Sequence, residues 1–134
     1  MSNFTLGMIK PDAIERGVEY DILKDIEQDG FTIKSLKKMR FDEDLAREFY
    51  KEHAGKPFFL DLIDYMTSGD VIALELNIGG NAISQFRGLI GKTDPAEADE
   101  GTIRHKYALS KDKNSIHGSD SPEAAKREIK LLFG

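Results

Sequence analysis

The stretch Asp70-Val71-Ile72-Ala73-Leu74-Glu75-Leu76 decides the fold. From Val71 to Leu76 every residue but Glu75 is apolar. Ser68-Gly69-Asp70 turns the chain before this run and Gly79-Gly80 turns it after. A short apolar run between turn signals reads as a strand buried on both faces, in the centre of a sheet. Such a strand needs partners on both sides and helices above and below, and the rest of the chain is searched for them. Towards the N-terminus, Phe59, Leu62, Ile63 and Met66 mark a short helix. Leu45, Ala46, Phe49 and Tyr50 mark another, with Asp42 as its N-cap and Gly55-Lys56-Pro57 as its end. Phe31 to Arg40 reads as a strand with Phe31, Ile33 and Met39 on one parity. Val18 to Asp29 reads as a helix carrying Ile22, Leu23 and Ile26, stopped at Asp29-Gly30. Phe4 to Ile9 is a first strand, ended by Lys10-Pro11-Asp12 because proline cannot donate to a ladder.

Towards the C-terminus, Asn81 to Ile90 is helical through Ala82, Ile83, Phe86 and Ile90. Gly91 to Arg104 has no periodicity and holds a Thr-Asp-Pro turn. Tyr107-Ala108-Leu109 is a short strand candidate, and Ser110 to Ser121 reads as a polar loop. Ser121-Pro122-Glu123 opens a last helix, with serine as the cap, proline at the first helical position and Ala125, Ile129 and Leu132 as its core stripe. The order β-α-β-α-α-β-α-loop-β-α predicts an α+β fold. Its core is a ferredoxin-like, four-stranded antiparallel sheet (β-α-β-β-α-β) with helices packed on it, in a single domain over residues 1–134.

Composition narrows the function. The 134 residues are 40% hydrophobic and 32% charged, with a net charge of −5. A pI near 5.2 and this acidity disfavour a dedicated nucleic-acid binder. The chain has no cysteine, which excludes disulfide frameworks, thiol nucleophiles and iron–sulfur clusters. No apolar run is long enough to span a bilayer, and the start Met1-Ser2-Asn3-Phe4-Thr5 lacks the pattern of a secretory leader. A cytoplasmic location with no membrane partner is the expectation. If the protein handles an anion, its positive groups must be concentrated in one place.

Chemistry concentrates in Asn114-Ser115-Ile116-His117-Gly118-Ser119-Asp120-Ser121. A lone loop histidine is commonly just solvated. His117 differs because Glu128, on the following helix, can take one ring nitrogen, fix the tautomer and leave the other free to attack. Lys10 stands at a strand end, where sites of α/β sheets gather. Arg87, Thr93 and Arg104 offer guanidinium and hydroxyl donors suited to phosphate, in a stretch long for a structureless loop. Tyr50, Phe58 and Leu62 form an apolar stripe that serves either as core or as a platform for a base. Walker, dinucleotide-fingerprint, zincin and nucleophile-elbow patterns are absent.

Together these residues resemble the nucleoside diphosphate kinase family. The signature around His117, the Lys10-Pro11-Asp12 motif, and Pro57-Phe58-Phe59, Tyr65-Met66, Ser68-Gly69, Arg87, Gly91-Lys92-Thr93-Asp94-Pro95 and Gly101-Thr102-Ile103-Arg104 follow its order, from Thr5 to Phe133. The resemblance implies phosphoryl transfer between nucleoside triphosphates and diphosphates by a ping-pong route, with His117 as the phosphorylated nucleophile. Glu128 would orient the ring with Ser119 beside it, and Tyr50 would lie close to the transferring group. Arg87, Thr93 and Arg104 would bind phosphates. Lys10 and Asn114 would hold the ribose hydroxyls, with Lys10 also facing the phosphates. Phe58 would stack on the base above Leu62. Magnesium would be held mainly by the nucleotide phosphates, with Asp120 at most a ligand through water. The family forms homo-oligomers, dimers that build tetramers or hexamers. Glu100, Tyr20 and Lys111 depart from the pattern, and none is among the residues given a role. The alternative is a non-catalytic nucleotide-binding or regulatory module on the same fold.

Overall fold

The computed structural model describes residues 3–134. Met1 and Ser2, part of the stretch read for a leader, lie outside the described residues. The strands are β1 (Phe4–Ile9), β2 (Thr32–Arg40), β3 (Asp70–Asn77) and β4 (Ile116–Gly118). They form one sheet in the order β2-β3-β1-β4, every pair antiparallel. The Val71 to Leu76 run is the interior of β3, flanked by β1 and β2 as its apolarity requires.

Helices cover both faces. On one side lie α1 (Pro11–Glu15), α2 (Glu19–Gln28), α5 (Ala82–Ile90) and α6 (Ile103–Tyr107). They bury Ile9, Ile72, Leu74 and Leu76 of the sheet against Ala13, Ile22, Ile26, Phe86, Ile90 and Ile103. On the other side lie α3 (Glu43–Phe49), α4 (Phe59–Met66) and α7 (Pro122–Phe133), covering Leu6, Met8, Val71 and Ala73. A single 3₁₀ turn, Lys51–His53, joins α3 to the segment before α4. The caps lie where side chains supply them. Asp42 Oδ1 accepts from the Leu45 amide at 2.8 Å, and Ser121 Oγ accepts from that of Ala124 at 3.0 Å.

Four details differ from the expectations. Pro11 ends β1 but also starts α1, because its fixed φ suits the first helical position. In β2, Ile33 pairs with Leu76 and Ser35 with Glu75, so Lys34 is an extra residue that flips the parity behind it. Phe31 and Ile33 therefore meet the α2 side, whereas Met39 meets the α3 side. Tyr107-Ala108-Leu109 is not a strand, since Tyr107 closes α6, whose N-cap Thr102 accepts from the His105 amide. The fourth strand is instead Ile116–Gly118, inside the stretch read as a loop. Its ladder to β1 is extended by Lys10 N–H to Ser115 O at 2.9 Å and Ser119 N–H to Leu6 O at 3.1 Å.

Candidate active site

His117 is the middle residue of β4 and pairs with Met8. Alternation along the strand aims its ring at the α3 and α7 side, while Ile116 enters the opposite core. Pro122 and the Ser121 cap fix the start of α7, and two turns on Glu128 reaches the ring. His117 Nε2 lies 2.9 Å from Glu128 Oε1, and Ser119 Oγ donates to the same oxygen at 2.7 Å. Burial pushes the Glu128 carboxyl up, but the His117 and Ser119 hydrogen bonds and the Arg127 charge outweigh it, so its pKa is lowered. An ionised Glu128 accepts only, so the ring proton is assigned to Nε2 and Nδ1 keeps a free lone pair. Glu128 is 3% exposed and Ser119 fully buried, which holds the pair rigid.

The ring is also walled by aromatics. Phe49 meets it edge-on at 5.2 Å between centroids and Tyr50 at 6.4 Å. The Tyr50 hydroxyl is buried without a hydrogen-bond partner, and burial, with the Glu128 charge, raises its pKa. Arg127 ties α7 to the end of α3 by donating to the Phe49 carbonyl at 2.9 Å and that of Glu48 at 3.2 Å.

Positive charge gathers on the strand's other flank. Arg104 Nη2 donates to Ile116 O at 2.8 Å and Nη1 to Gly91 O at 3.0 Å, leaving its buried Nε unpartnered. Burial and the neighbouring Arg87 lower the Arg104 pKa to about 10. Arg87 is exposed and makes a long 3.5 Å contact to Gly118 O. Lys10 is buried with Nζ on Asn114 Oδ1 at 2.8 Å. Burial first, then the Arg104 charge, lowers its pKa to about 8. Asn114 Nδ2 reaches the Lys111 carbonyl at 3.2 Å and that of Thr93 at 3.5 Å. Gly118 admits this packing, because a Cβ there would lie 2.9 Å from the Phe86 ring; its partner Gly7 is in the same position.

The predicted residues therefore fall into two joined groups and an outlier. His117, Glu128, Ser119 and Tyr50 form one group. Lys10, Asn114, Thr93, Arg87 and Arg104 form the other, attached through the carbonyls of Ile116 and Gly118. Phe58 and Leu62 stand apart on α4 and its N-cap, joined by the Leu62 amide to the Phe58 carbonyl at 3.0 Å. Phe58 is 46% exposed, so it is not core, and it reaches Tyr50 only through the ring of His53. Asp120 is exposed just past Ser119. Phe49 was missed, although its place beside Tyr50 on an amphipathic helix is a signal. Asp12 also carries no part in the reading of Lys10-Pro11-Asp12, although its carboxylate accepts from the Ser115 hydroxyl at 2.8 Å. Among the described residues no group of three His, Asp or Glu side chains could hold a metal ion.

Comparison with known proteins agrees with this geometry. The family model for nucleoside diphosphate kinase matches residues 3–134. The nucleoside diphosphate kinase of Listeria innocua is 51% identical over 96% of this chain and 87% of its own length. That of Staphylothermus marinus is 51% identical over 96% of this chain and 91% of its own. The crystal structure of the Aquifex aeolicus enzyme superposes with a TM-score of 0.95 at 44% identity, covering 98% of this chain and 95% of that one. A Halobacterium salinarum nucleoside diphosphate kinase in complex with CDP gives 0.93 at 43% identity, covering 99% and 88%. With the family model spanning almost its full length and relatives at half identity, the chain belongs to the nucleoside diphosphate kinase family.

Proposed function

We propose that the protein is a nucleoside diphosphate kinase, one domain over residues 1–134, that moves the γ-phosphoryl group of a nucleoside triphosphate to a nucleoside diphosphate through a phosphohistidine at His117. The observation that carries this reading is the 2.9 Å contact of His117 Nε2 with the ionised Glu128. It leaves Nδ1 with a free lone pair as the nucleophile. In the first half-reaction the Nδ1 lone pair forms an N–P bond to the γ-phosphorus. The P–O bond to the β-phosphate breaks, and its electron pair leaves with the diphosphate. In the second, a terminal oxygen of another diphosphate attacks the phosphorus, and the N–P pair returns to Nδ1. Glu128 balances the positive charge that grows on the ring, and Ser119 holds the Glu128 oxygen in place.

The remaining residues position the substrate and stabilise charge, which is most of what phosphoryl transfer asks of a protein. Arg104 and Arg87 face the equatorial oxygens with Thr93. Arg104 is already pinned by two carbonyls, so little reorganisation is needed. Lys10 and Asn114 bind the ribose hydroxyls, Lys10 adds charge towards the phosphates, and Tyr50 packs beside the transferring group. The exposed ring of Phe58, backed by Leu62, stacks on the base. Stacking tolerates any base, because every base has a π-face.

Magnesium fits this donor set only as a nucleotide-borne ion. It prefers oxygen ligands and keeps several waters, and the exposed Asp120 carboxylate suits a ligand through water. When bound, the ion would neutralise charge on the phosphate oxygens. We further place the protein in the cytoplasm as a homo-oligomer built from dimers, as a tetramer or hexamer. Among the described residues no helix is long and apolar enough to cross a membrane.

Brief exposure to Mg-ATP, followed by mass spectrometry at alkaline pH, should show one adduct of about 80 Da on the His117 peptide, as expected for one phosphoryl group on one nucleophile. His117→Ala should show none and should not transfer phosphate. Label retained in that variant would overturn the mechanism. Nucleotide binding without label in the wild type would favour the non-catalytic alternative.

A further inference from the structure

Asp12 lies in the first turn of α1 and is 4% exposed. Its carboxylate accepts four hydrogen bonds. Oδ2 accepts from Ser115 Oγ at 2.8 Å and from Arg16 Nη2 at 3.1 Å. Oδ1 accepts from the Ser115 amide at 3.2 Å and from the Tyr65 hydroxyl. That hydroxyl in turn accepts from the Asp12 amide at 3.2 Å. Arg16 widens the knot, donating to Ser115 Oγ at 3.1 Å and to the Tyr107 carbonyl at 2.6 Å. Three segments therefore meet on one carboxylate, α1, the end of α4 and the entry to β4, and Arg16 joins the end of α6 to them.

Ser115 occupies a special place in this knot. It is the one non-glycine residue with positive φ among the described residues, at 72°. A serine held there costs of the order of 1 kcal/mol and persists only where its surroundings over-determine it. Asp12 supplies that determination by taking both the amide and the hydroxyl of Ser115. The residue before Ser115 is Asn114, whose Oδ1 accepts from Lys10 Nζ at 2.8 Å. Ser115 O accepts from the Lys10 amide at 2.9 Å, so the same residue closes the backbone between the two sugar-binding side chains. Nothing in the proposed mechanism uses Asp12.

We propose that Asp12 is a positioning residue. By locking Ser115 in the left-handed conformation it holds Asn114 on Lys10, and so sets the discrimination for nucleotides that carry ribose hydroxyls. This rests on the reading of Lys10 and Asn114 as the ribose contacts. Asp12 touches no reacting atom. Its removal acts on nucleotide donors and leaves the reactivity of Nδ1 towards a donor without a sugar in place.

The test compares the rate of His117 phosphorylation by ATP, by 2′,3′-dideoxy-ATP and by phosphoramidate, a small donor with no sugar or base. It uses the full-length wild type, Asp12→Asn, and the milder Tyr65→Phe, which removes one donor to the carboxylate. In the wild type, loss of the sugar hydroxyls should slow labelling at least about tenfold, the scale of one hydrogen bond to a charged group. In Asp12→Asn that ratio should collapse towards one through a slower reaction with ATP. Phosphoramidate labelling should stay within about twofold of wild type, because the nucleophile is intact. Tyr65→Phe should shift the ratio the same way by less. Parallel loss with all three donors in both variants would indicate a structural role only and overturn the inference. An unchanged ATP to dideoxy-ATP ratio in Asp12→Asn would overturn it while leaving the ribose reading intact. A wild type that does not distinguish the two nucleotides would overturn the ribose reading and this inference with it.

Discussion

Two donors, the His117 ring and the Ser119 hydroxyl, converge on a single oxygen of Glu128. Replacing that carboxylate by an amide keeps the shape but removes the charge that fixes the proton on Nε2. Glu128→Gln should therefore slow phosphohistidine formation about 10–100-fold, the usual scale for a carboxylate behind a histidine, as read by single-turnover labelling. The lowered pKa of Glu128 also has a stability consequence. Its contribution is present above the pKa of the unfolded carboxyl and is lost as pH falls through the lower folded value. The Gln variant should accordingly lose less stability than wild type on acidification. Lys10 works in the opposite range. With a folded pKa of about 8, it sheds its charge in the free enzyme as pH rises through that value. The kcat/KM for Mg-ATP, which reports on the free enzyme, should fall above about pH 8, and Lys10→Gln should lack that limb. Between about pH 8 and the ordinary lysine value near 10.4, the unfolded state holds more protons. Lys10 therefore makes the fold more stable, not less, as pH rises there.

At the scale of elements, β4 is held more by packing than by its own sequence. It has three residues, too few for a period-2 pattern, and polar neighbours on both sides. This is why Ser110 to Ser121 reads as a loop in the sequence and the fourth strand was expected at Tyr107. Pairing with β1 makes the strand, and that is a long-range fact no local pattern records. The β2 parity failed for a similar reason, because Lys34 bulges without a glycine or proline to announce it. What was legible had strong local chemistry: the apolar β3, the Asp42 and Ser121 caps, and the amphipathic stripes of α2, α4, α5 and α7. The Gly7–Gly118 pair shows how β4 is seated, since Phe86 of α5 fills the space both side chains would take. Gly118→Ala should destabilise the protein by about 1–3 kcal/mol through overpacking, measured by urea unfolding. Phe86→Leu in that background should restore part of the loss.

At the scale of the whole molecule, an acidic chain of net charge −5 gathers Lys10, Arg87 and Arg104 around one strand end from three distant segments. Such focusing attracts a small Mg-bound anion at short range, while the rest of the surface repels a long polyanion. The KM for Mg-ATP should rise with ionic strength, and duplex DNA at equal phosphate concentration should compete poorly, both measurable in a steady-state assay. The contact of His117 and Ser119 with Glu128 was legible because its members stand 11 and 9 positions apart, whereas Tyr50 comes to the ring from a distant helix end. The Asp12 knot was not, because two of its partners, Tyr65 and Ser115, stand 53 and 103 positions away and each alone is an ordinary polar residue. Ile116 and His117 are consecutive, and they face opposite sides of the sheet. A slip of one residue during refolding would bury the imidazole among the α2 and α5 side chains and leave an isoleucine opposite Glu128. Such a molecule would keep nearly all its helix and strand while being chemically silent. The yield of phosphorylatable protein after dilution from denaturant therefore counts correctly threaded chains, and far-UV circular dichroism counts merely compact ones.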